Sequence, residues 1–341
     1  MVSYIIPVYN GESCIGRCVQ SIIDNTDMEN DFEIVIVDDG SKDRTGAIID
    51  RYAQAYSFVK AFHQTNKGPS AARNLGTERS SGEWLVFVDA DDEITSDIAG
   101  ILSDRHLTEY DWVVFSGFFV EERLIELSVH SDRNRVLTAI LNLSEDLFLA
   151  KAHFNTVWSK AYKKEIIRKN KIKFEQRLYH GEDMLFNVDY MKKCGIVYCA
   201  ALSVYTLCEN ENSVTHKFQK NSILNDMAFY KLLLNREIGK GDRAVKKVFD
   251  RAVLNGIWIC LGQYFTHPQN SLNMKEKKRE LKGFLEKEPY KTALKHYKCE
   301  RKSYRRLIML LLRLRLYFVV LAGFNFLRKP YCAKDTGSKP I

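Results

Sequence analysis

Hydrophobic residues in the first half of the chain alternate between two patterns, short, nearly continuous runs and stripes of helical period. Val2–Val8 is a run of the first kind and predicts a strand. Ile15, Cys18, Val19, Ile22 and Ile23 then fall at i, i+3, i+4, i+7 and i+8, the apolar stripe of a helix. Phe32–Val37 predicts a second strand ending in Asp38-Asp39-Gly40-Ser41. The helix after it has Ile48, Ile49 and Tyr52 inward and Ser41 as its cap. Val59–Phe62 predicts a third strand and Asn66-Lys67-Gly68-Pro69 a turn. Pro69 suits the first position of a helix to about Ser80. Trp84–Val88 and Trp112–Val120 are further strands. Strand and helix alternate about every twenty-five residues, which implies βαβ units and a mostly parallel, Rossmann-like α/β sheet with flanking helices.

The pattern loosens over residues 121–176, where Trp158-Ser159-Lys160-Ala161-Tyr162 reads as a strand before a basic helix. Gly181-Glu182-Asp183 opens a helix with Met184, Leu185, Val188 and Met191 inward, and Ile196–Leu207 returns as a strand. From Asn221 the period is helical, with helices expected at Ile223–Leu234, Val245–Phe265 and Lys275–Leu285. The expected organisation is an α/β domain over 1–215, a helical extension over 216–300 and a basic, apolar tail over 301–341.

Chemistry enters at Trp84-Leu85-Val86-Phe87-Val88-Asp89-Ala90-Asp91-Asp92, a buried strand running into three carboxylates. In open α/β sheets ligands bind beyond the carboxyl ends of the strands, which is where these acids sit. In an extended chain Asp89 and Asp91 point to one side and can share a divalent cation or a polar ligand. The alternative is an Asp-rich turn capping the next helix through Asp92 or Ser96. A second acidic loop follows Val37 and the Tyr9-Asn10 turn shares its edge, so three loops converge on one cleft.

Charge is uneven. The formal net charge is +8. From Asn273 onward nineteen Lys and Arg face six Asp and Glu, a net of +13, which leaves 32 bases against 37 acids, or −5, before it. The eight cysteines are scattered with no Cys-x-x-Cys, so a zinc site is not expected, and reduced thiols point to the cytoplasm. Cys14 and Cys18 read as one buried helical face. Ile5-Ile6-Pro7-Val8 is too short for a signal-peptide core.

In chain order the motifs are Pro7-Val8-Tyr9-Asn10, Val37-Asp38-Asp39-Gly40-Ser41, Ala71-Ala72-Arg73-Asn74-Leu75-Gly76, Asp89-Ala90-Asp91-Asp92 and Gly181-Glu182-Asp183. Together they strongly resemble the inverting family-two glycosyltransferases of the GT-A fold, from Met1 to about Thr215. Lys67-Gly68-Pro69-Ser70 and Trp158-Ser159-Lys160 resemble that family's connecting segments. The resemblance implies transfer of a sugar from a UDP-sugar to an acceptor hydroxyl with inversion. Asp39 would accept the uracil N3–H, with Pro7 and Tyr9 beside the base. Asp91 would hold Mn²⁺ or Mg²⁺, and Asp89 would contact the ribose or the metal's water. Arg73 has two readings, donor contact or a brace between loops. Asp183 would be the general base and Glu182 would orient the acceptor or support the loop; for both, complementing a helix dipole is the alternative. His180 and His216 are left out of the metal site.

No Arg-Trp dipeptide occurs, whereas processive relatives carry Gln-x-x-Arg-Trp, so a non-processive enzyme is expected. The implied role is surface polysaccharide synthesis on a lipid-linked or glycan acceptor. The competing readings are a nucleotidyltransferase-like enzyme and a non-catalytic nucleotide-sugar-binding protein. In the tail, Arg313 and Arg315 interrupt an apolar stretch otherwise about long enough to span, which needs ~20 residues. Each would cost ~2.5–3.5 kcal/mol inside a bilayer. The expectation is peripheral contact with anionic lipid on the inner face of the cell membrane, with a buried helix or an oligomer contact as the alternative. The tail lacks any nucleic-acid-binding motif, so no nucleic-acid partner is expected.

Overall fold

A computed structural model of the chain describes residues 1–104, 107, 109–119, 121–208, 218, 220–236, 242–297 and 304–328. The chain divides into two compact units, one built on residues 1–210 and the other on 211–337.

The first unit opens with β1 (Val2–Val8), α1 (Ile15–Asn25), β2 (Phe32–Asp38), α2 (Thr45–Ala55), β3 (Val59–His63), α3 (Pro69–Arg79) and β4 (Trp84–Phe87). It continues with β5 (Glu93–Ile94), α4 (Ile98–Ser103), β6 (Trp112–Phe115), β7 (Arg123–Glu126), α5 (His130–Ile140) and α6 (Leu147–Lys151). β8 (Lys160–Lys163), α7 (Lys164–Lys169), α8 (Glu182–Met191), β9 (Ile196–Ala200) and β10 (Tyr205–Thr206) complete it.

Eight strands form one sheet in the order β3-β2-β1-β4-β8-β6-β9-β7, and β10 pairs with β5 in a separate ribbon. Pairing is parallel from β3 through β4 and again between β6 and β9, with β8 antiparallel to both its neighbours. The unbroken apolar runs follow from this placement: β2 lies between two strands with Ile34, Val35, Ile36 and Val37 wholly buried. Trimming any of the larger ones to Ala would cost roughly 2–5 kcal/mol.

Three sequence expectations change. The run from Trp112 stops being a strand at Phe115, because Ser116 starts a turn that bonds Phe119 N–H to its carbonyl; Val120 lies outside the described residues. The run Ile196–Leu207 splits in two, since Tyr205 and Thr206 leave the main sheet to pair with Ile94 and Glu93. Ser41 does not cap α2. The helix starts at Thr45, whose N–H bonds Asp43 Oδ1 at 3.0 Å.

The second unit comprises α9 (Ser222–Asn235), α10 (Arg243–Cys260), a π-helical turn (Leu261–Phe265), α11 (Met274–Leu285), α12 (Tyr290–His296), α13 (Tyr304–Arg313) and α14 (Tyr317–Arg328). The helix expected over Val245–Phe265 thus ends in a wider turn. α11 begins with a capping box, Asn273 and Glu276 bonding each other's backbone amides. The described part of the expected tail is α13 and α14, which pack on α11, α12 and the π-helical turn. Ile308, Met309, Leu312, Tyr317, Val320, Leu321 and Phe324 are buried there, so this stretch belongs to the unit's core. The boundary expected after residue 215 falls outside the described residues.

Candidate active site

Parallel register brings the carboxyl ends of β1, β2 and β4 to one edge: Val8 pairs with Asp38, and Ile5 with Phe87. The loops beyond β1 and β2 are stitched together there. Asn10 N–H donates to Ser41 Oγ at 2.9 Å, and Lys42 N–H to Asn10 Oδ1 at 2.8 Å. Gly11 N–H reaches Thr45 Oγ1 at 2.8 Å and Arg44 N–H reaches Glu12 Oε2 at 2.9 Å. Ser41 therefore serves the loop rather than the helix.

Beside this seam lies a cavity of about 210 Å³ lined by Pro7, Val8, Tyr9, Asp39, Asn66, Gly68, Pro69 and Ala72. Its volume is below the roughly 300–1,000 Å³ of ordinary ligand pockets, so it suits a flat base rather than a whole nucleotide sugar. Tyr9 stands at its rim, half-exposed, with a ring face available for stacking. Asp39 is buried and accepts from Gln64 Nε2 at 2.7 Å, Lys67 N–H at 2.8 Å and Gly68 N–H at 2.7 Å. The last contact needs Gly68 in the left-handed region, φ 88°, where a side chain would be strained. A carboxylate has about four acceptor positions, so three donors leave it able to take one more N–H.

The acids after β4 separate by task. Asp92 turns inward, accepting from Tyr205 Oη at 2.8 Å and Cys208 N–H at 2.9 Å. Burial pushes its carboxyl up to about 7, against the pull of the Cys208 N–H. It does not cap the next helix, and neither does Ser96: Asp97 caps α4 by accepting Gly100 N–H at 2.8 Å. Tyr205 Oη also accepts Asp89 N–H at 3.0 Å, so one phenol holds both ends of the Asp89–Asp92 loop. The carbonyl of Asp91 accepts from Arg17 at 2.8 Å.

Arg73, buried on α3, joins this loop to α8. It donates to Asp89 Oδ1 at 2.9 Å and to Glu182 Oε1 and Asp183 Oδ1 at 3.3 Å each. Burial works against its charge, but Asp183, Asp89 and Glu182 hold it protonated. Both terminal nitrogens are engaged with protein carboxylates, the bracing arrangement of its two readings. Its buried Nε has no hydrogen-bond partner.

Asp183 sits in the first turn of α8, which Gly181 opens at φ 88°. Its side chain is 19% exposed, enough to meet a substrate. Burial raises its carboxyl to about 7; Arg73 pulls it back, Glu182 and Asp89 push it up further, and a bond from the Val157 backbone lowers it again. Val157 is fixed by a pinned loop. Lys160 Nζ donates to the carbonyls of His153 at 2.9 Å and Trp158 at 3.1 Å. Asn187 Nδ2 donates to those of Phe154 at 2.8 Å and Thr156 at 2.7 Å. Burial lowers the Lys160 ammonium to about 7, and the charge of Asp183 opposes that shift.

The family resemblance implies a divalent cation at this edge. Among the described residues no group of three His, Cys, Asp or Glu side chains could hold a metal alone. A hard cation bound through one carboxylate and a substrate diphosphate needs no such group, and the oxygen donors of the Asp89–Asp91 turn fit it. His216 lies outside the described residues. Sequence reasoning missed Tyr205, Gln64, Lys160 and Asn187 as supports. Only Lys160 stood in a motif, and the others are ordinary residues brought in by the fold.

The glycosyl transferase family 2 profile matches residues 3–191. Among relatives, EpsJ, a glycosyltransferase of Bacillus subtilis, is 27% identical over 347 residues, covering 95% of this chain and 96% of its own. YibD, a glycosyltransferase of Escherichia coli, is 31% identical over 242 residues, 67% of either chain. Among solved structures, residues 1–349 of Staphylococcus aureus TarS in complex with UDP-GlcNAc superpose with a TM-score of 0.58 at 18% identity, over 95% of this chain and 91% of that one. A longer TarS chain gives a TM-score of 0.63 at 19% identity, over 95% of this chain and 55% of that one. The fold is thus of the GT-A type. With its profile spanning more than half of the sequence, the chain belongs to glycosyl transferase family 2 and is a glycosyltransferase.

Proposed function

We propose that this enzyme transfers a single sugar from a UDP-sugar to an acceptor hydroxyl, non-processively and with inversion at the anomeric carbon. The observation that carries the reading is the convergence, at one sheet edge, of a base-sized cavity holding Asp39 and a carboxyl, Asp183, raised to about 7. Asp39, acceptor-only when ionised, suits a base with an N–H at the recognised position. Uracil N3–H meets that need, whereas cytosine presents a lone pair there. The TarS complex with UDP-GlcNAc, a structure of the same fold, supports this donor class.

Asp183 takes the proton from the acceptor hydroxyl as its oxygen bonds to the anomeric carbon and the carbon–diphosphate oxygen bond breaks; UDP departs on the opposite face. A base with a pKa near the working pH is ionised often enough to act and basic enough to pull. Arg73 holds Asp183 in place, Glu182 orients the acceptor or supports the loop, and Asp89 lines the path to the ribose. Asp91, with the donor's diphosphate oxygens, would hold Mn²⁺ or Mg²⁺, which when bound stabilises charge on the leaving diphosphate. The acceptor is a lipid-linked intermediate or a glycan of a surface polysaccharide, glycosylated from the cytoplasmic side at the membrane.

Nucleotide release from a panel of UDP-, GDP- and CMP-sugars with Mn²⁺ tests the donor class. UDP-sugars should be turned over selectively, and UDP with Mn²⁺ should raise the Tm more than GDP or CMP. Equal stabilisation by all three would remove the uracil reading. Asp91→Ala should lose the Mn²⁺-dependent part of the UDP-induced Tm shift, and a shift unchanged from wild type would move the cation elsewhere.

A further inference from the structure

α13 and α14 are two-sided. Their inner face is buried, but Leu307 and Leu310 project outward along one stripe of α13, and Leu314 is exposed just past its end. Leu316, Phe318 and Val319 continue the exposed apolar surface past the break between the helices. Leu314 is 59% and Phe318 57% exposed, so none of the described residues covers them. Arg306, Arg313 and Arg315 stand exposed among them. Residues 301–328 carry seven Lys and Arg and no Asp or Glu.

We propose that this face lies on the surface of an anionic lipid bilayer, its leucines and Phe318 in the headgroup–acyl boundary and its arginines on lipid phosphates. The charge decides the occupant. A second copy meeting the first through the same segment would set arginine against arginine, since residues 301–328 hold no acid to pair them. An anionic leaflet supplies the opposite charge and an apolar layer together. Length decides the mode. Helices of ten and twelve residues are about 15–18 Å long, against a hydrocarbon core of ~30 Å. None of the described helices is long and apolar enough to cross a membrane.

The surface deepens the membrane part of the function proposed above and rests on it. Binding is therefore scored apart from sugar transfer, so that either can fail alone. The full chain would be sedimented with phosphatidylcholine vesicles with and without phosphatidylglycerol, at low and high salt. Binding should need the anionic lipid and fall with salt. Arg313→Gln with Arg315→Gln should weaken it by roughly 25-fold, about fivefold per lost charge. Leu314→Ser with Phe318→Ser should abolish it. Both pairs are exposed, so the Tm and the transfer rate to a soluble acceptor should stay at wild-type values. Absence of vesicle binding, or binding that neither pair of substitutions weakens, would overturn the proposal. So would a dimer in gel filtration that Leu314→Ser with Phe318→Ser converts to monomer, because the second copy would then be the occupant.

Discussion

Asp183 in the first unit and Asp226 in the second are both aspartates whose carboxyls burial pushes up to about 7. Their neighbours differ. Asp183 stands at the start of α8 beside Arg73, Glu182 and Asp89, with part of its side chain open to solvent. Asp226 accepts a bond from Tyr290 Oη, and its carboxyl packs against Gly256. One raised group faces charges that can be rearranged by a substrate; the other faces a phenol and a backbone that cannot. A raised carboxyl is therefore not by itself the mark of a catalytic base. What singles out Asp183 as the proposed base is its link through Arg73 to Asp89, in the loop that follows β4 at the sheet edge.

The comparison breaks most readily at Asp183. Asp183→Asn keeps the size and the bond from Arg73 but cannot take a proton, so transfer should fall by about 10²–10⁴-fold. Binding of UDP-sugar should stay near wild type, because Asp39 and Asp91 lie on other loops. In wild type, kcat/KM should rise as pH climbs through about 7 and level off above, since only the ionised base acts. Glu182→Gln should be milder. An active Asp183→Asn beside an inactive Glu182→Gln would transfer the role to Glu182.

Much of this half of the molecule was legible in the sequence. Nearly continuous apolar runs such as Val2–Val8 and Phe32–Val37 are buried on both faces, and that geometry leaves a strong mark on residue type. Apart from Arg73, in the second turn of α3, the site residues that sequence singled out stand near the ends of such strands or at the first turn of a helix, where local signals are strong. Tyr205 left no such mark. It reaches Asp89 and Asp92 over more than a hundred residues of chain, through a two-residue ribbon that breaks an apolar run expected to be one strand. The surface charges of the tail were visible, whereas the burial of Ile308, Met309 and Leu312 was not. A stretch apolar on all sides does not declare which face packs.

Tyr205 sharpens the comparison from the donor side. Tyr205→Phe removes the hydroxyl that holds the Asp89 N–H and the Asp92 carboxyl, leaving both without that partner. The loss should cost about 1–3 kcal/mol in stability. Partners that orient metal ligands typically change affinity by about 10–100-fold. The Mn²⁺ concentration for half-maximal transfer should rise by that order, while kcat at saturating Mn²⁺ changes far less. A fall confined to kcat would tie Tyr205 to the base side, through the Trp158 ring stacked on it at 5.3 Å.

Asp226 should affect transfer least, and its signature is a slope. Its carboxyl has a folded value of about 7 against about 3.9 in the unfolded chain. Between those values the folded protein holds a proton that the unfolded chain has released. The stabilisation is therefore fully present below the unfolded value and is lost as pH rises through the folded one. Across that window the loss amounts to about 4 kcal/mol, taking 1.36 kcal/mol per unit. Asp226→Asn cannot ionise, so its Tm should vary less between pH 5 and 8 and exceed that of wild type at the upper end. Transfer should match wild type wherever both proteins are folded, because nothing in the reaction uses this carboxyl. A tenfold slower Asp226→Asn with an undiminished Tm would show instead that the second unit's buried acid is coupled to catalysis, and the distinction between the two aspartates would fall.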